Sequence, residues 1–150
     1  MQATATQTLT AMLNKQIANC GILYVKLHNY HWFVKGDTFY ELHAKFEELY
    51  DEISAFLDEL AERLLTINGK PLATLRDYLQ HATVTEASGN ETAQQMVQTI
   101  ANDFATIIEE LKQGIQRAEQ ENDQATADIL IGMRKKLEKH RWMLTAFLAR

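Results

Sequence analysis

The chain offers its backbone very little with which to leave the helical state. One proline and six glycines are spread over 150 residues, so long stretches lack the two residue types that most disfavour helix interiors. Apolar residues recur at three- and four-residue spacing, and the period-two alternation of strands is missing. The spacing predicts a first helix from about Thr8 to Lys35, with Leu13, Ile17, Cys20, Tyr24 and Leu27 on its apolar side. Gly36-Asp37 ends it. Thr38, followed by Glu41 three residues later, predicts a capping box that starts a second helix. That helix runs to about Thr66 and stops at Asn68-Gly69-Lys70-Pro71. A short helix is expected near Thr74 to His81, then turn chemistry over 83–90. A third long helix is expected over about Glu91 to Glu121, a break at Asn122-Asp123, and a fourth long helix to about Leu148.

The connections constrain how these helices pack. The first and last are a few residues long, which predicts antiparallel hairpins, whereas the middle one is long and carries the short helix. Four long helices with one long crossover are the ferritin-like arrangement, not a simple up-down bundle. The expected fold class is therefore all-α: a four-helix bundle with a short extra helix in the crossover between the second and third long helices.

A chain of this length suits one domain over 1–150, with enough apolar content (46%) for a core. No apolar run approaches the roughly 20 residues a membrane helix needs. The opening MQATATQTLTAMLNK lacks the basic start and apolar block of a secretory signal. Cys20 is the only cysteine, so no intrachain disulfide is possible and a reducing cytoplasm is expected, with Cys20 read as a small core residue. The net charge of −5 argues against a nucleic-acid partner and for traffic in cations.

Five histidines are available: His28, His31, His43, His81 and His140. None has a glutamate three residues before it, so the Glu-x-x-His pairs that build di-iron sites inside a bundle are not found. The second helix offers a different arrangement. On a wheel of about 100° per residue with His43 at zero, Phe39, Leu42, Phe46, Leu49, Ile53, Phe56, Leu57, Leu60 and Leu64 fall between about 220° and 320°. That stripe is the expected core face. Glu41, Lys45, Glu48, Glu52, Glu59 and Arg63 fall between about 140° and 200° and are expected to be wet. His43, Glu47, Asp58 and Glu62 fall between about 0° and 100°, away from the core of their own bundle.

His43 and Glu47 are four apart, as are Asp58 and Glu62, so each pair can aim at one ion. The two pairs lie about 22 Å apart along the helix, too far to share an ion within one chain. Two copies of the helix packed antiparallel about a two-fold axis near Glu52–Ile53 bring 43 opposite 62 and 47 opposite 58. A self-complementary contact of that kind builds two equivalent sites at once. Imidazole plus carboxylates suits ferrous iron and leaves positions open for an oxidant. A surface pair at 43 and 47 and a solvated acidic face at 58 and 62 fit the same spacing, and residue chemistry alone leaves both readings open.

The stretch HNYHWFVKGDTFYELHAKFEELYDEISAFLDELAERLLTINGKP, from His28 to Pro71, resembles the Dps family, the mini-ferritins known as DNA-binding proteins from starved cells. The motifs are His31-Trp32, the Phe-x-x-Leu-His that ends in His43, and the Asp-Glu-x-Ala-Glu-Arg of Asp58 to Arg63. The likeness extends to His140-Arg141-Trp142-Met143-Leu144. It implies a dodecameric hollow shell with di-iron ferroxidase sites at its two-fold interfaces. There ferrous iron is oxidised, preferably by hydrogen peroxide, and ferric oxide is stored inside. By the resemblance, His31, His43 and Glu47 come from one subunit and Asp58 and Glu62 from its neighbour. Family members carry aspartate or glutamate at the position of Glu47, so the ligand type is kept. Trp32 intercepts radicals in the family, and an aromatic packed at a subunit contact fits the same residue. Glu119, Asp123 and Asp128 match the region that lines three-fold pores, although a solvated turn has the same composition. Glu48 and Glu52 are candidates to nucleate ferric oxide, and Met12, Met96, Met133 and Met143 read as core filler. His28, His81 and His140 read as structural. The alternative function is a nucleoid-associated DNA binder with incidental iron. Against it, no basic residue precedes Lys15, Arg150 follows the last helix by about two residues, and helical spacing disperses Arg134, Lys135, Lys136, Lys139 and Arg141.

Overall fold

Capping chemistry sets where the helices of this chain start and stop. The computed structural model describes residues 7–149 as α1 (Leu9–Phe33), α2 (Phe39–Thr66), α3 (Leu75–His81), α4 (Ala93–Gln120) and α5 (Gln124–Leu148), with no strand among the described residues. The opening stretch read for a secretory signal begins in residues 1–6, and with Arg150 these lie outside the described residues. The Oγ1 atoms of Thr8 and Thr74 accept from the amides of Ala11 at 3.0 Å and Asp77 at 3.1 Å, satisfying first-turn donors that have no helical partner. The capping box expected at Thr38 and Glu41 does not form. Thr38 sits at φ −104, ψ 21, outside the extended region an N-cap needs, and its side chain makes no cap bond. A capping box forms instead at α4, where Thr92 accepts from the Gln95 amide at 3.1 Å and donates its own amide to Gln95 Oε1 at 2.8 Å.

Two helices end on left-handed asparagines. Asn68 (φ 68) and Asn122 (φ 60) turn the chain, and the next amides, of Gly69 and Asp123, donate back to Leu64 and Ala118 carbonyls at 2.8 Å. Gly69, read from sequence as part of the stop, is there for space, since a Cβ would lie 2.4 Å from Leu64 Cδ1. The first helix stops two residues earlier than expected, at Phe33, because Val34 is already extended.

Cross-helix bonds fix the topology. Gln16 meets Glu110 and Lys26 meets Asp103, so α1 runs antiparallel to α4. Lys45 meets His140 and Arg63 meets Asp123, so α2 runs antiparallel to α5. With the α1–α2 and α4–α5 hairpins, α2 and α4 must be parallel. The crossover therefore returns along the bundle, as ferritin-like folds require.

The core is shared by all four long helices, with Ile17, Leu27, Phe46, Ile53, Ile100, Phe104, Leu130 and Leu137 each at most 1% exposed. Of the stripe expected on α2, Phe39 and Leu57 are only partly buried. Tyr24, expected in the core, is 39% exposed and belongs to an aromatic surface group. Met96 and Met133 are buried, while Met12 and Met143 are half-buried. Cys20 is fully buried, which pushes its thiol up to about 12. Polar residues pin the crossover to the bundle. Lys26, buried, donates to the Thr85 carbonyl and to Asp103, both at 2.8 Å. Asn19, also buried, accepts from the Thr83 and Val84 amides. The Tyr78 ring of α3 sits directly on Gly21, where a Cβ would come within 2.3 Å of it.

Candidate metal centre

His31 lies in the last turn of α1 and His43 in the second turn of α2, so the tight hairpin at 34–38 brings them face to face. Their rings stack with centroids 3.7 Å apart and 12° between planes. His31 Nδ1 is 2.7 Å from the His43 carbonyl, and His43 Nδ1 is 2.8 Å from the His31 carbonyl. A carbonyl can only accept, so each Nδ1 carries the hydrogen. In the neutral ring this leaves Nε2 with its lone pair, the form in which imidazole binds a metal. Backbone geometry at one hairpin thus presets two nitrogen donors. His31 is buried and His43 half-buried.

The carboxylates are held differently. Glu47, Asp58 and Glu62 are exposed, and among the described residues no hydrogen bond or ion pair engages their side chains. Within one chain, among the described residues, no three His, Cys, Asp or Glu side chains converge as a metal would need. Because α2 is one unbroken helix, Asp58 and Glu62 stand about 22 Å beyond the His43–Glu47 pair.

An aromatic surface adjoins the histidines. His28 donates from Nδ1 to the Tyr24 carbonyl at 2.7 Å and stacks on Tyr50 at 3.7 Å. Tyr50 stands at 87° to the His31 ring, 5.4 Å away. Burial pushes the Tyr50 hydroxyl up, with the charges of Glu47 and Asp51 adding to it. Trp32 is 65% exposed and leans on His28 at 5.3 Å. Val25, Phe33, Leu65, Leu75 and Leu79 are also exposed. Phe39, which the wheel puts on the core stripe with no role at the site, stacks on His43 at 4.9 Å and 20°. Tyr50 has no assigned role in the sequence either. The signal for Phe39 was available, since it precedes His43 by one helical turn.

The remaining candidates are placed elsewhere. The side of α2 expected to be wet is partly covered by α5. Glu52 accepts from His140 Nε2 at 2.6 Å, Lys45 reaches His140 Nδ1 at 3.2 Å, and Glu48 is exposed with a 3.4 Å contact to Lys45. Asp123 caps α5 and accepts from Thr126 and Arg63. Burial pushes its carboxyl up, but these bonds hold it below the ordinary carboxylate range. Glu119 and Asp128 are exposed. His81 donates to the Asp77 carbonyl of its own helix. No helix among the described residues is long and apolar enough to cross a membrane.

Comparison with known proteins gives a consistent outcome. Residues 10–150 match the ferritin-like domain family. General stress protein 20U of Bacillus subtilis is 54% identical over 95% of this chain and 98% of its own length. DNA protection during starvation protein 2 of Bacillus anthracis is 50% identical over 91% and 94%. The crystal structure of a Dps protein from Bacillus brevis superposes with a TM-score of 0.94 at 49% identity, covering 99% of this chain and 100% of the other. The helix order, the crossover topology and these likenesses agree, and the chain belongs to the Dps branch of the ferritin-like family.

Proposed function

We propose that this chain is the subunit of a cytoplasmic, dodecameric mini-ferritin. It oxidises its substrate, ferrous iron, at centres shared between two-fold-related subunits, and stores the ferric oxide inside the shell. The observation that carries this reading is the reciprocal bonding of His31 and His43, which leaves two Nε2 lone pairs beside an aromatic group of His28, Trp32 and Tyr50 whose Trp32 is widely exposed. Such a group suits burial against a second subunit. The carboxylates of Glu47, Asp58 and Glu62 are exposed on the same helix and make no hydrogen bond or ion pair among the described residues, and a two-fold mate puts Asp58 and Glu62 beside the histidines. The preference for hydrogen peroxide and the twelve-subunit shell are taken from the family. Two ferrous ions at one centre each give one electron, so peroxide and two protons become two waters and no hydroxyl radical is released. Trp32, exposed beside His28, is assigned to the same interface. Iron entry is assigned to the acidic corner of Glu119, Asp123 and Asp128, and mineral nucleation to Glu48 and Glu52. With Asp123 and Glu52 bonded within the chain, Glu119, Asp128 and Glu48 are the freer acids in each group.

The test is complementation. His43→Ala and Asp58→Ala each damage both centres of a homodimer, because every centre needs one residue of each kind. In a mixed dimer one centre receives both alanines and the other receives neither. Random co-assembly makes half the dimers mixed, each with one of two centres intact, so iron oxidation returns to about a quarter of the unmutated rate. Co-assembled shells, verified as mixed by mass spectrometry, that remain as inactive as their parents would sink the shared-site reading.

A further inference from the structure

The ring stack does not end at the two histidines. Phe39 stacks on His43 (4.9 Å, 20°), His43 lies on His31 (3.7 Å, 12°), and Tyr50 meets the His31 ring at a right angle (5.4 Å, 87°). Tyr50 is itself backed by His28 (3.7 Å, 19°). An imidazole turns easily about its Cβ–Cγ bond, because that torsion is broad and two-fold. The Nδ1 bond to a carbonyl fixes one nitrogen, yet it leaves the ring free to rock about that contact. A further ring packed on each imidazole restricts this freedom. The direction in which each Nε2 points is then set by packing as well as by the hydrogen bond.

We propose that Phe39 and Tyr50 are positioning residues that clamp the stacked imidazoles and hold both Nε2 atoms aimed at the metal, a role that rests on reading His31 and His43 as iron ligands. Phe39 supplies a flat face and Tyr50 a perpendicular one, so shape matters more than apolar volume. The Tyr50 hydroxyl takes no part, whereas its ring does. His28 serves the same arrangement indirectly, as the support of Tyr50.

The test uses the assembled protein and cobalt(II), whose visible spectrum reports its ligand set. Phe39→Leu and Tyr50→Leu keep apolar bulk but remove the flat ring. Each is expected to raise the half-saturating cobalt concentration about tenfold and to weaken the visible bands. Phe39→Tyr and Tyr50→Phe keep the ring and are expected to stay within about twofold of the unchanged chain. Where leucine impairs assembly, methionine, equally apolar and not flat, replaces it in the same comparison. Leucine variants that bind cobalt as the unchanged chain does, with only the thermal midpoint lowered, would overturn the proposal, as would ring-keeping variants that lose binding. Cobalt binding by His43→Ala that equals the unchanged chain would remove the ligand reading itself, and this inference with it.

Discussion

Two sides of the same helix treat charge in opposite ways. On the side of α2 that meets α5, Lys45, Glu52 and Arg63 are engaged within the chain, with His140 and with Asp123. On the side that carries His43, the carboxylates of Glu47, Asp58 and Glu62 make no hydrogen bond or ion pair among the described residues. Both sides carry similar residue types. One set ties helices together, and the other leaves carboxylates with their lone pairs available. Stability and chemistry are therefore expected to separate by helix face, and that separation can be tested.

The largest expected effect is on chemistry. His43→Ala removes one of the two preset nitrogens, so the initial rate of iron oxidation should fall by about 100-fold or more, beyond what loss of a supporting partner usually costs. Arg63→Ala, on the opposite side, should leave that rate within about twofold while it lowers stability by about 1–3 kcal/mol, because half-buried Asp123 loses its cation. Stopped-flow absorbance and thermal unfolding of the two variants give the comparison. Equal activity losses would show that the faces are not separate.

Removing charge from the side that carries His43 should do little to folding. Asp58→Asn is expected to change stability by no more than about 0.5 kcal/mol, since the carboxylate is exposed and makes no hydrogen bond or ion pair among the described residues. Denaturant midpoints decide this, and a loss like that of Arg63→Ala would place Asp58 among the structural charges.

A third measurement concerns acid. Burial pushes the Glu91 carboxyl up, but the Ser88 and Gly89 amides and the Tyr30 hydroxyl outweigh it and hold the group at about 2. Its folded value is depressed, so its contribution is fully present above the ordinary carboxylate range and is lost as pH falls from about 4.5 towards 2. Glu91→Gln should flatten the stability profile over that interval, as read by thermal midpoints at stepped pH. An unchanged slope would mean that the unfolded chain holds the same bonds.

The smallest expected effect is on DNA. With a net charge of −5, and with Arg134 paired to Glu138 within the basic cluster, no retarded band is expected at about 0.15 M salt without free metal. A retarded band there would restore the DNA-binding alternative.

The helices follow from residue order alone, since breaker scarcity and three-to-four spacing are local properties that any fold of this chain must satisfy. Residue order also placed His43, Glu47, Asp58 and Glu62 on one side of one helix, because a wheel depends only on position along the chain. Tertiary structure decided everything that required two segments to meet. The Thr38 capping box failed because the hairpin holds that residue outside the extended region. Tyr24 left the core for a surface group with His28 and Tyr50. Lys45, Glu52 and Arg63 lost their wet side to α5. The state of His31 and His43 followed from carbonyls contributed across the hairpin, 12 residues apart in the chain. A hydrogen bond between segments depends on the path of both, and residue spacing within either one does not contain it.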